Sequence, residues 1–269
     1  MNMKPVSTIS TPIDRYENGS FQKLEDQLAV EEPLEIKIKY SEEGSIVEKN
    51  ISVTMRTPGN DDELACGFLF TEGIIKNSAE IKSVTQNSEN SICIQLNENI
   101  KPSENKLERN FYTTSSCGVC GKASIDAIAT VSNFKITDKF KNIGPDIIIS
   151  LPEKLSKQQE IFKSTGGLHA SALFDLSGMF LELREDVGRH NALDKLIGSR
   201  LLKNIIPLND TILLLSGRAS FELIQKASMA GIPVVVAIGA PSSLALELAK
   251  ESGITLIGFL RGEKYNRYC

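Results

Sequence analysis

The chain of 269 residues is 41% hydrophobic and 24% charged, which is typical of a globular protein and long enough for two domains. A net charge of −4 and a pI near 5.5 argue against nucleic-acid binding through bulk positive charge. The sequence has no apolar run of about 18 residues and no signal-peptide core. We therefore expect a cytoplasmic protein that binds neither membrane nor nucleic acid.

The sequence of residues 1–110 predicts an arm followed by a small domain. Residues 1–20 are polar with few apolar anchors, and we expect a loosely ordered arm there. Residues 21–110 predict a small α+β domain with antiparallel strands, because residues 34–40 alternate strictly between apolar and charged side chains. The other elements predicted in this domain are a partner strand at 46–55, a helix from Asn60 or Asp61 to Gly73, and strands at 81–85 and 91–96.

Residues 111–269 predict an α/β domain, because strands alternate with helices of about ten residues. Apolar runs at 212–215 and 234–237 indicate a mixed, largely parallel sheet covered by helices on both faces. The predicted helices are 122–131, 152–162, 191–202, 220–229 and 242–250, with an irregular stretch at 138–150. The predicted strands are 169–174, 179–184, 211–215, 233–238 and 254–260.

Two cysteines, Cys117 and Cys120, stand three apart among small residues just before a predicted helix. The positive end of that helix, with Lys122 beside it, favours the thiolate over the thiol. A thiolate is both the nucleophilic and the metal-binding form of cysteine. We therefore expect the chemistry of this protein to involve Cys117 and Cys120.

On the residues alone, three interpretations of the cysteine pair stay open: a structural zinc site or disulfide, a dithiol–disulfide oxidoreductase, and a carrier of sulfur as a persulfide. A closed zinc site needs four ligands, and the other three cysteines and both histidines are scattered along the chain, so no metal is expected. A zinc deaminase is disfavoured, because neither histidine is followed two residues later by a glutamate. Spacing does not separate the oxidoreductase from the sulfur carrier.

Glycine-bearing loops follow three strands of the predicted sheet, and two of them contain arginine: Ser216–Ser220 with Arg218, Gly239–Ser243, and Phe259–Lys264 with Arg261. Because ligands bind beyond the carboxyl ends of parallel strands, we expect one anion site there. Arg189 and His190 come from a preceding loop, and a guanidinium fork suits phosphate. This pattern predicts a phosphate-bearing ligand such as a nucleotide.

Other polar residues near these loops have ordinary structural explanations. Glycine, serine and proline are also common turn residues, and His169 or His190 could be a hydrogen-bonded structural imidazole. Asp186 fits a turn or cap, and Asp194 fits a solvated helix position.

Several segments together resemble the FdhD family of formate dehydrogenase accessory sulfur carriers. The matching segments are 115–121 (Ser-Ser-Cys-Gly-Val-Cys-Gly), 165–170 (Thr-Gly-Gly-Leu-His-Ala), 185–195 (Glu-Asp-Val-Gly-Arg-His-Asn-Ala-Leu-Asp-Lys), 216–222 (Ser-Gly-Arg-Ala-Ser-Phe-Glu) and 258–262 (Gly-Phe-Leu-Arg-Gly). The resemblance implies a cytidine-deaminase-like fold without zinc chemistry, and a homodimer.

The same resemblance implies a function and site residues. A cysteine desulfurase would load sulfur onto Cys117 as a persulfide, with Cys120 assisting or protecting it. The sulfur would pass to the molybdenum or tungsten bis-pterin guanine dinucleotide cofactor of a formate dehydrogenase apoenzyme, and GDP-like nucleotides would mimic that cofactor. The residues that would contact the cofactor are Phe259, Leu260, Arg261, Gly262, Glu263, Lys264, Arg218, Gly239, His190 and Arg189.

Overall fold

The computed structural model describes residues 6–102, 132, 134, 136 and 143–269. In this part of the chain a four-stranded sheet, a layer of helices, a six-stranded sheet and a further helix are stacked in that order. The strands are β1 Thr8–Glu17, β2 Ser20–Ala29, β3 Glu32–Glu42, β4 Ser45–Arg56, β5 Ile81–Ser88, β6 Ser91–Leu96, β7 His169–Asp175, β8 Phe180–Asp186, β9 Thr211–Leu215, β10 Val234–Ala237, β11 Thr255–Arg261 and β12 Lys264–Arg267. The helices are α1 Asp61–Thr71, α2 Pro145–Gln158, α3 Glu160–Thr165, α4 Arg189–Leu202, α5 Phe221–Met229 and α6 Ser243–Ser252.

Strands β1 and β2 form a two-stranded hairpin where the sequence predicts a loosely ordered arm. Asn18 and Gly19 have φ values of 50° and 85°, and such positive values are what the favoured two-residue hairpin turn needs. Ten residue pairs align on either side of this turn without a register shift. The hairpin therefore corrects the expectation for residues 8–20.

The four-stranded sheet has the order β4-β3-β6-β5 and confirms the predicted strands of the first part. The β3–β4 and β5–β6 pairs are antiparallel, whereas β3 and β6 run parallel. The apolar side chains of the alternating segment, including Leu34, Ile36 and Ile38, are fully buried in the core that α1 shares. The predicted division of the chain at residue 110 falls outside the described residues and stays a prediction.

Helices α1 and α4 touch through two glycines, Gly67 and Gly198. A Cβ atom on Gly198 would lie 1.8 Å from the carbonyl oxygen of Glu63, and one on Gly67 would lie 1.9 Å from that of Asp194. The two backbones therefore approach more closely than any side chain would permit. This contact couples the helix that covers the four-stranded sheet to the helix that covers the six-stranded sheet.

The six-stranded sheet has the order β12-β11-β10-β9-β7-β8 and is mixed, as predicted, but it is not largely parallel. Only the β9–β10 and β10–β11 pairs are parallel among its described pairings. Tight turns join β7 to β8 and β11 to β12, and such turns force neighbouring strands to run antiparallel. Strand β12 was not predicted. The sequence pattern identified the parallel centre of the sheet but not its two antiparallel edges.

Helices cover both faces of this sheet, as predicted. One face packs against α4, α5 and α6 through side chains such as Leu213 and Val235. The opposite face packs against α2, where Leu151 lies with Ile212 and Val234 in a separate core. Successive side chains of β9 and β10 therefore point into two different cores, because both faces of the sheet are buried.

The helix predicted at 152–162 begins earlier than expected. Pro145 occupies the first position of α2, where proline's fixed φ and missing N–H are tolerated, and this corrects the irregular stretch expected up to residue 150. Pro152 lies inside α2, not at its start. The predicted helix at 122–131 lies outside the described residues.

Asp194 is not a solvated helix residue: it is 2% exposed and pairs with Lys226, which is 5% exposed, at 2.9 Å. Its second carboxylate oxygen accepts a hydrogen bond from Thr71 at 2.7 Å. Burial raises the pKa of Asp194, and the positive charge of Lys226 opposes that shift. The pair connects α1, α4 and α5 at the centre of the helix layer.

None of the helices in the described ranges is long and apolar enough to cross a membrane.

Candidate functional site

Three loops that the sequence predicts to meet do lie side by side at one edge of the six-stranded sheet. The backbone N–H of Gly239, after β10, donates to the carbonyl of Gly217, after β9, at 2.9 Å. The N–H of Phe259, in β11, donates to the carbonyl of Gly239 at 3.0 Å. A further bridge joins Ala219 to Pro241. The loop of β10 therefore lies between the other two and is hydrogen-bonded to both.

Close packing favours glycine at position 239. A Cβ atom there would lie 3.0 Å from both the backbone nitrogen and the Cγ of Arg218. A side chain at this position would need the Arg218 loop to shift by a few tenths of an ångström. The close approach leaves the side chain of Arg218 exposed on the outside of the edge.

Phe259 has an unusual backbone conformation at this edge. Its φ is 55°, in the left-handed region that bulky residues rarely adopt, and its side chain is 41% exposed. The pairing of β11 with β12 is irregular between Gly258 and Arg261, so the strand bulges at this point. Strained residues of this kind tend to occur at functional sites, because the surroundings must hold them in place.

The other predicted site residues, at the turn between β11 and β12, differ in how far they are exposed. The side chain of Leu260 is 1% exposed and lies in the core shared with α2, so only its backbone can face a ligand. Arg261, Gly262, Glu263 and Lys264 are all exposed. Two guanidinium groups, those of Arg218 and Arg261, are thus presented to solvent by the loops on either side of the β10 loop.

Arg189 and His190 begin α4 and lie next to the same loops. The Nε2 atom of His190 is 2.8 Å from a carboxylate oxygen of Glu222 and 3.5 Å from the hydroxyl of Ser220. Glu222 is in the first turn of α5, which starts directly after the Arg218 loop. The N-termini of α4 and α5 therefore converge. Glu222 was not identified from the sequence as a site residue.

His169 lies beneath this loop cluster. A Cβ atom on Gly217 would lie 3.4 Å from the Nδ1 atom of His169, so the ring packs against the loop of β9. Burial lowers the pKa of His169 and the positive charge of Arg189 lowers it further, whereas the carboxylate of Asp186 opposes this shift. The sequence leaves open whether His169 is a structural or a site histidine. The structure places its ring in contact with the loops, where the ring favours the neutral form.

We expect the imidazole of His169 to titrate with a midpoint below about 6.5, the ordinary value for histidine. Because the folded pKa is depressed, the unfolded chain binds the proton first as the pH falls, and His169 then destabilises the folded state. An NMR titration of the ring protons measures the midpoint directly. His169→Gln should lose less thermal stability than the wild type between about pH 7.5 and 5.5. A midpoint above 6.5 would contradict this expectation.

A buried charge network holds the segment that carries Arg189 and His190. Asp186, which is 0% exposed, forms an ion pair with Lys195 at 2.7 Å and accepts a hydrogen bond from the backbone of Gly188 at 2.8 Å. Lys195 also donates to the carbonyl of Thr57 at 2.7 Å. The predicted turn role of Asp186 is confirmed, and the structure adds that this turn is anchored to the end of β4.

Cys117 and Cys120 lie outside the described residues. Of the described cysteines, Cys66 and Cys93 are buried free thiols. Burial raises the pKa of Cys66 to about 12 and raises that of Cys93 as well. A protonated thiol is a poor nucleophile, so neither residue competes with the C-x-x-C pair for thiolate chemistry.

Comparison with known proteins decides the family. The model of the FdhD/NarQ family matches residues 29–269. The chain belongs to the FdhD/NarQ family. Among proteins named sulfur carrier protein FdhD, that of Streptomyces avermitilis is 47% identical over 265 residues, covering 95% of this chain and 91% of that protein. That of Mycobacterium tuberculosis is 46% identical over 255 residues, covering 90% of each.

The fold is also similar to that of a protein whose structure has been solved. A crystal structure described as that of a candidate formate dehydrogenase accessory protein from Desulfotalea psychrophila superposes with a TM-score of 0.71 at 25% identity, covering 98% of this chain and 97% of that one. The mixed α/β architecture is therefore shared with this relative. The more specific likeness to cytidine deaminases stays a prediction.

Proposed function

We propose that this FdhD/NarQ protein is a sulfur carrier that holds sulfane sulfur as a persulfide on Cys117. A cysteine desulfurase supplies the sulfur, and the molybdenum or tungsten bis-pterin guanine dinucleotide cofactor of a formate dehydrogenase apoenzyme receives it in the cytoplasm. The names of the relatives support the sulfur-carrier role. The observation that carries the cofactor half of the proposal is the junction of three glycine-bearing loops around Gly239.

The loading step is a thiolate displacement. The Cys117 thiolate attacks the outer sulfur of the desulfurase persulfide, a new S–S bond forms, and the donor cysteine leaves as a thiolate. No external oxidant is needed for loading, because the S–S bond to the donor cysteine breaks as the S–S bond to Cys117 forms. Delivery of the outer sulfur breaks the bond to Cys117 and returns its electron pair to that residue as a thiolate, so the two electrons that turn sulfane sulfur into a sulfide ligand would come from the accepting cofactor. Cys120 assists the transfer or protects the persulfide.

The loop cluster suits the phosphates of a guanine dinucleotide. Arg218 and Arg261 supply planar forks that match phosphate oxygens, and the first turns of α4 and α5 contribute free N–H groups and the positive ends of their dipoles. The exposed ring of Phe259 offers a face on which a base can stack. Gly262, Glu263 and Lys264 extend this surface into the turn.

Incubation of the full chain with a cysteine desulfurase and cysteine tests the sulfur half of the proposal. Mass spectrometry should detect added mass in multiples of one sulfur atom on Cys117, and a thiol reductant should remove it. A Cys269→Ser variant is the control for a partly exposed thiol elsewhere, and it should load as the wild type does. A stable disulfide between Cys117 and Cys120 without added sulfur would instead support the dithiol oxidoreductase.

For the cofactor half, Arg261→Ala should weaken GDP binding by about 10- to 100-fold, the loss expected for one hydrogen-bonded charge on phosphate. Isothermal titration calorimetry with GDP measures this effect. Arg267→Ala is the matched control, because it removes the same charge from the other end of the β11–β12 hairpin, opposite Ile257. Equal affinities of the two variants would place the nucleotide away from the loop cluster.

A further inference from the structure

Glu222 places a negative charge among the loops to which the proposed function assigns phosphate binding. It lies in the first turn of α5, directly after the Arg218 loop, and one of its carboxylate oxygens is 2.8 Å from the Nε2 atom of His190. A carboxylate repels phosphate, so a site that only had to bind phosphate tightly would have no use for one. The position of Glu222 is therefore not explained by phosphate binding alone.

The charge of Glu222 acts on this site because the side chain is only partly exposed to water. The side chains of Glu222 and His190 are 22% and 25% exposed, so solvent and salt screen them less than fully exposed groups. Lys226, four residues further along α5, is also within electrostatic reach of Glu222. Its ammonium group is paired with Asp194 at 2.9 Å and with Glu72 at 3.4 Å. Because Lys226 is shared with these two carboxylates, it does not cancel the charge of Glu222.

Glu222 also sets the balance of charge at the site. The cationic side chains that the proposed function assigns to the cofactor are Arg189, Arg218, Arg261 and Lys264, and the acidic ones are Glu263 and, in addition, Glu222. Four cationic and two acidic side chains leave an excess of two positive charges. A pyrophosphate diester, in which both phosphates are bonded on two sides, carries one negative charge on each phosphate and matches this excess. A terminal phosphate adds a further negative charge at pH 7, since its second ionisation occurs at a pH of about 6.

We propose that Glu222 is a specificity-determining residue, which favours the bridging pyrophosphate of a dinucleotide over nucleotides that end in a free phosphate. This inference rests on the proposed function and names the class of ligand that the same site selects. Free GDP and GTP share the guanine, the ribose and two phosphates with the guanine dinucleotide, so contacts to those groups do not separate them. The charge at the end of the phosphate chain does. Specific sites commonly combine attraction for the right ligand with repulsion of the wrong one.

A carboxylate in such a site has one alternative role, which is to accept hydrogen bonds from the N–H groups at the edge of guanine. The position of Glu222 favours the electrostatic role, because it lies beside His190 in the first turn of α5, where the helix dipole attracts phosphate. The two roles predict opposite effects when the charge is removed. A repelling carboxylate gives tighter binding of GTP, whereas a contact to the base gives weaker binding of every guanine nucleotide.

Isothermal titration calorimetry of the full chain with GTP, GDP and GDP-mannose tests the proposal, since GDP-mannose is a pyrophosphate diester. The buffer contains EDTA and little salt, so that no Mg²⁺ neutralises the phosphates. Glu222→Gln should lower the Kd for GTP about tenfold and that for GDP by a smaller factor, and should leave that for GDP-mannose within about twofold of the wild-type value. Glutamine keeps an oxygen that can accept a hydrogen bond from His190, so the substitution removes the charge and little else.

Glu251→Gln is the matched control. It makes the same change in net charge in the last turn of α6, at the end of that helix away from the loops, and should leave all three Kd values unchanged. Loss of stability does not imitate the expected result, because an unfolded fraction changes the apparent affinity for the three nucleotides by the same factor. The ratio of the Kd values for GTP and GDP-mannose therefore reports selectivity alone.

An equal change in all three Kd values on Glu222→Gln would overturn the proposal. Weaker binding of all three would also overturn it, since that is the result expected of a contact to guanine. In both cases the wild-type chain still binds guanine nucleotides, so the proposed function is unaffected. Failure of all three nucleotides to bind the wild-type chain would instead overturn the cofactor half of the proposed function, and the role of Glu222 with it.

Discussion

Cys117→Ala is expected to abolish the ability of this chain to restore formate dehydrogenase activity in a cell that lacks its own carrier, down to the level of cells given no carrier. Alanine has no nucleophilic atom, and persulfide transfer proceeds through covalent attachment to sulfur. The buried thiols of Cys66 and Cys93 offer no substitute, because burial raises the pKa of both.

The informative part of this experiment is the pairing of activity with ligand binding. GDP affinity of Cys117→Ala should equal that of the wild type, because the proposed contacts come from Arg218, Arg261 and the helix N-termini. Arg261→Ala should show the converse, with normal sulfur loading and weak GDP binding. Restoration of full activity by Cys117→Ala would reduce the protein to a nucleotide-binding module without sulfur chemistry.

The position of the loop cluster can be predicted from the sequence, because each signal for it lies within a short segment of the chain. Residues 212–215 and 234–237 are apolar throughout, which identifies buried central strands, and glycine follows each of them. Parallel neighbours then place their carboxyl ends at one edge without further information. The junction of Gly217, Gly239 and Phe259 follows from that rule. The contact between His190 and Glu222 does not, because it depends on how two helices converge.

The missed features are mostly contacts between residues far apart in the chain. The sequence predicts a solvated Asp194, because a single sequence does not show that two sheets enclose α4. One signal was present: its neighbours Ala192, Leu193, Leu196 and Ile197 leave α4 little polar surface, and a charge in such a helix is usually paired. The N-terminal hairpin had a local signal as well. Asn18-Gly19 is a strong two-residue hairpin turn. The many polar residues around it obscure the alternation of apolar and polar side chains that indicates strands.

Gly198→Ala is expected to destabilise the fold by about 2–4 kcal/mol, although alanine is the better helix former by up to about 1 kcal/mol. The new Cβ would stand 1.8 Å from the carbonyl oxygen of Glu63, and backbone cannot rotate away as a side chain can. Helices α1 and α4 must therefore separate. That movement strains the hydrogen bond between Thr71 and Asp194, which is 2.7 Å in the native fold.

Urea denaturation followed by far-UV circular dichroism measures this loss. Gly144→Ala is the matched control: Gly144 precedes α2 with a φ of −59°, which alanine adopts freely, and no atom lies within 4 Å of its Cβ position. This control should stay within about 0.5 kcal/mol of the wild type. Equal stability of Gly198→Ala and the wild type would mean that α1 and α4 do not meet at this glycine. The layer that supports Arg189 and His190 would then need a different explanation, because α4 carries both residues at its first turn.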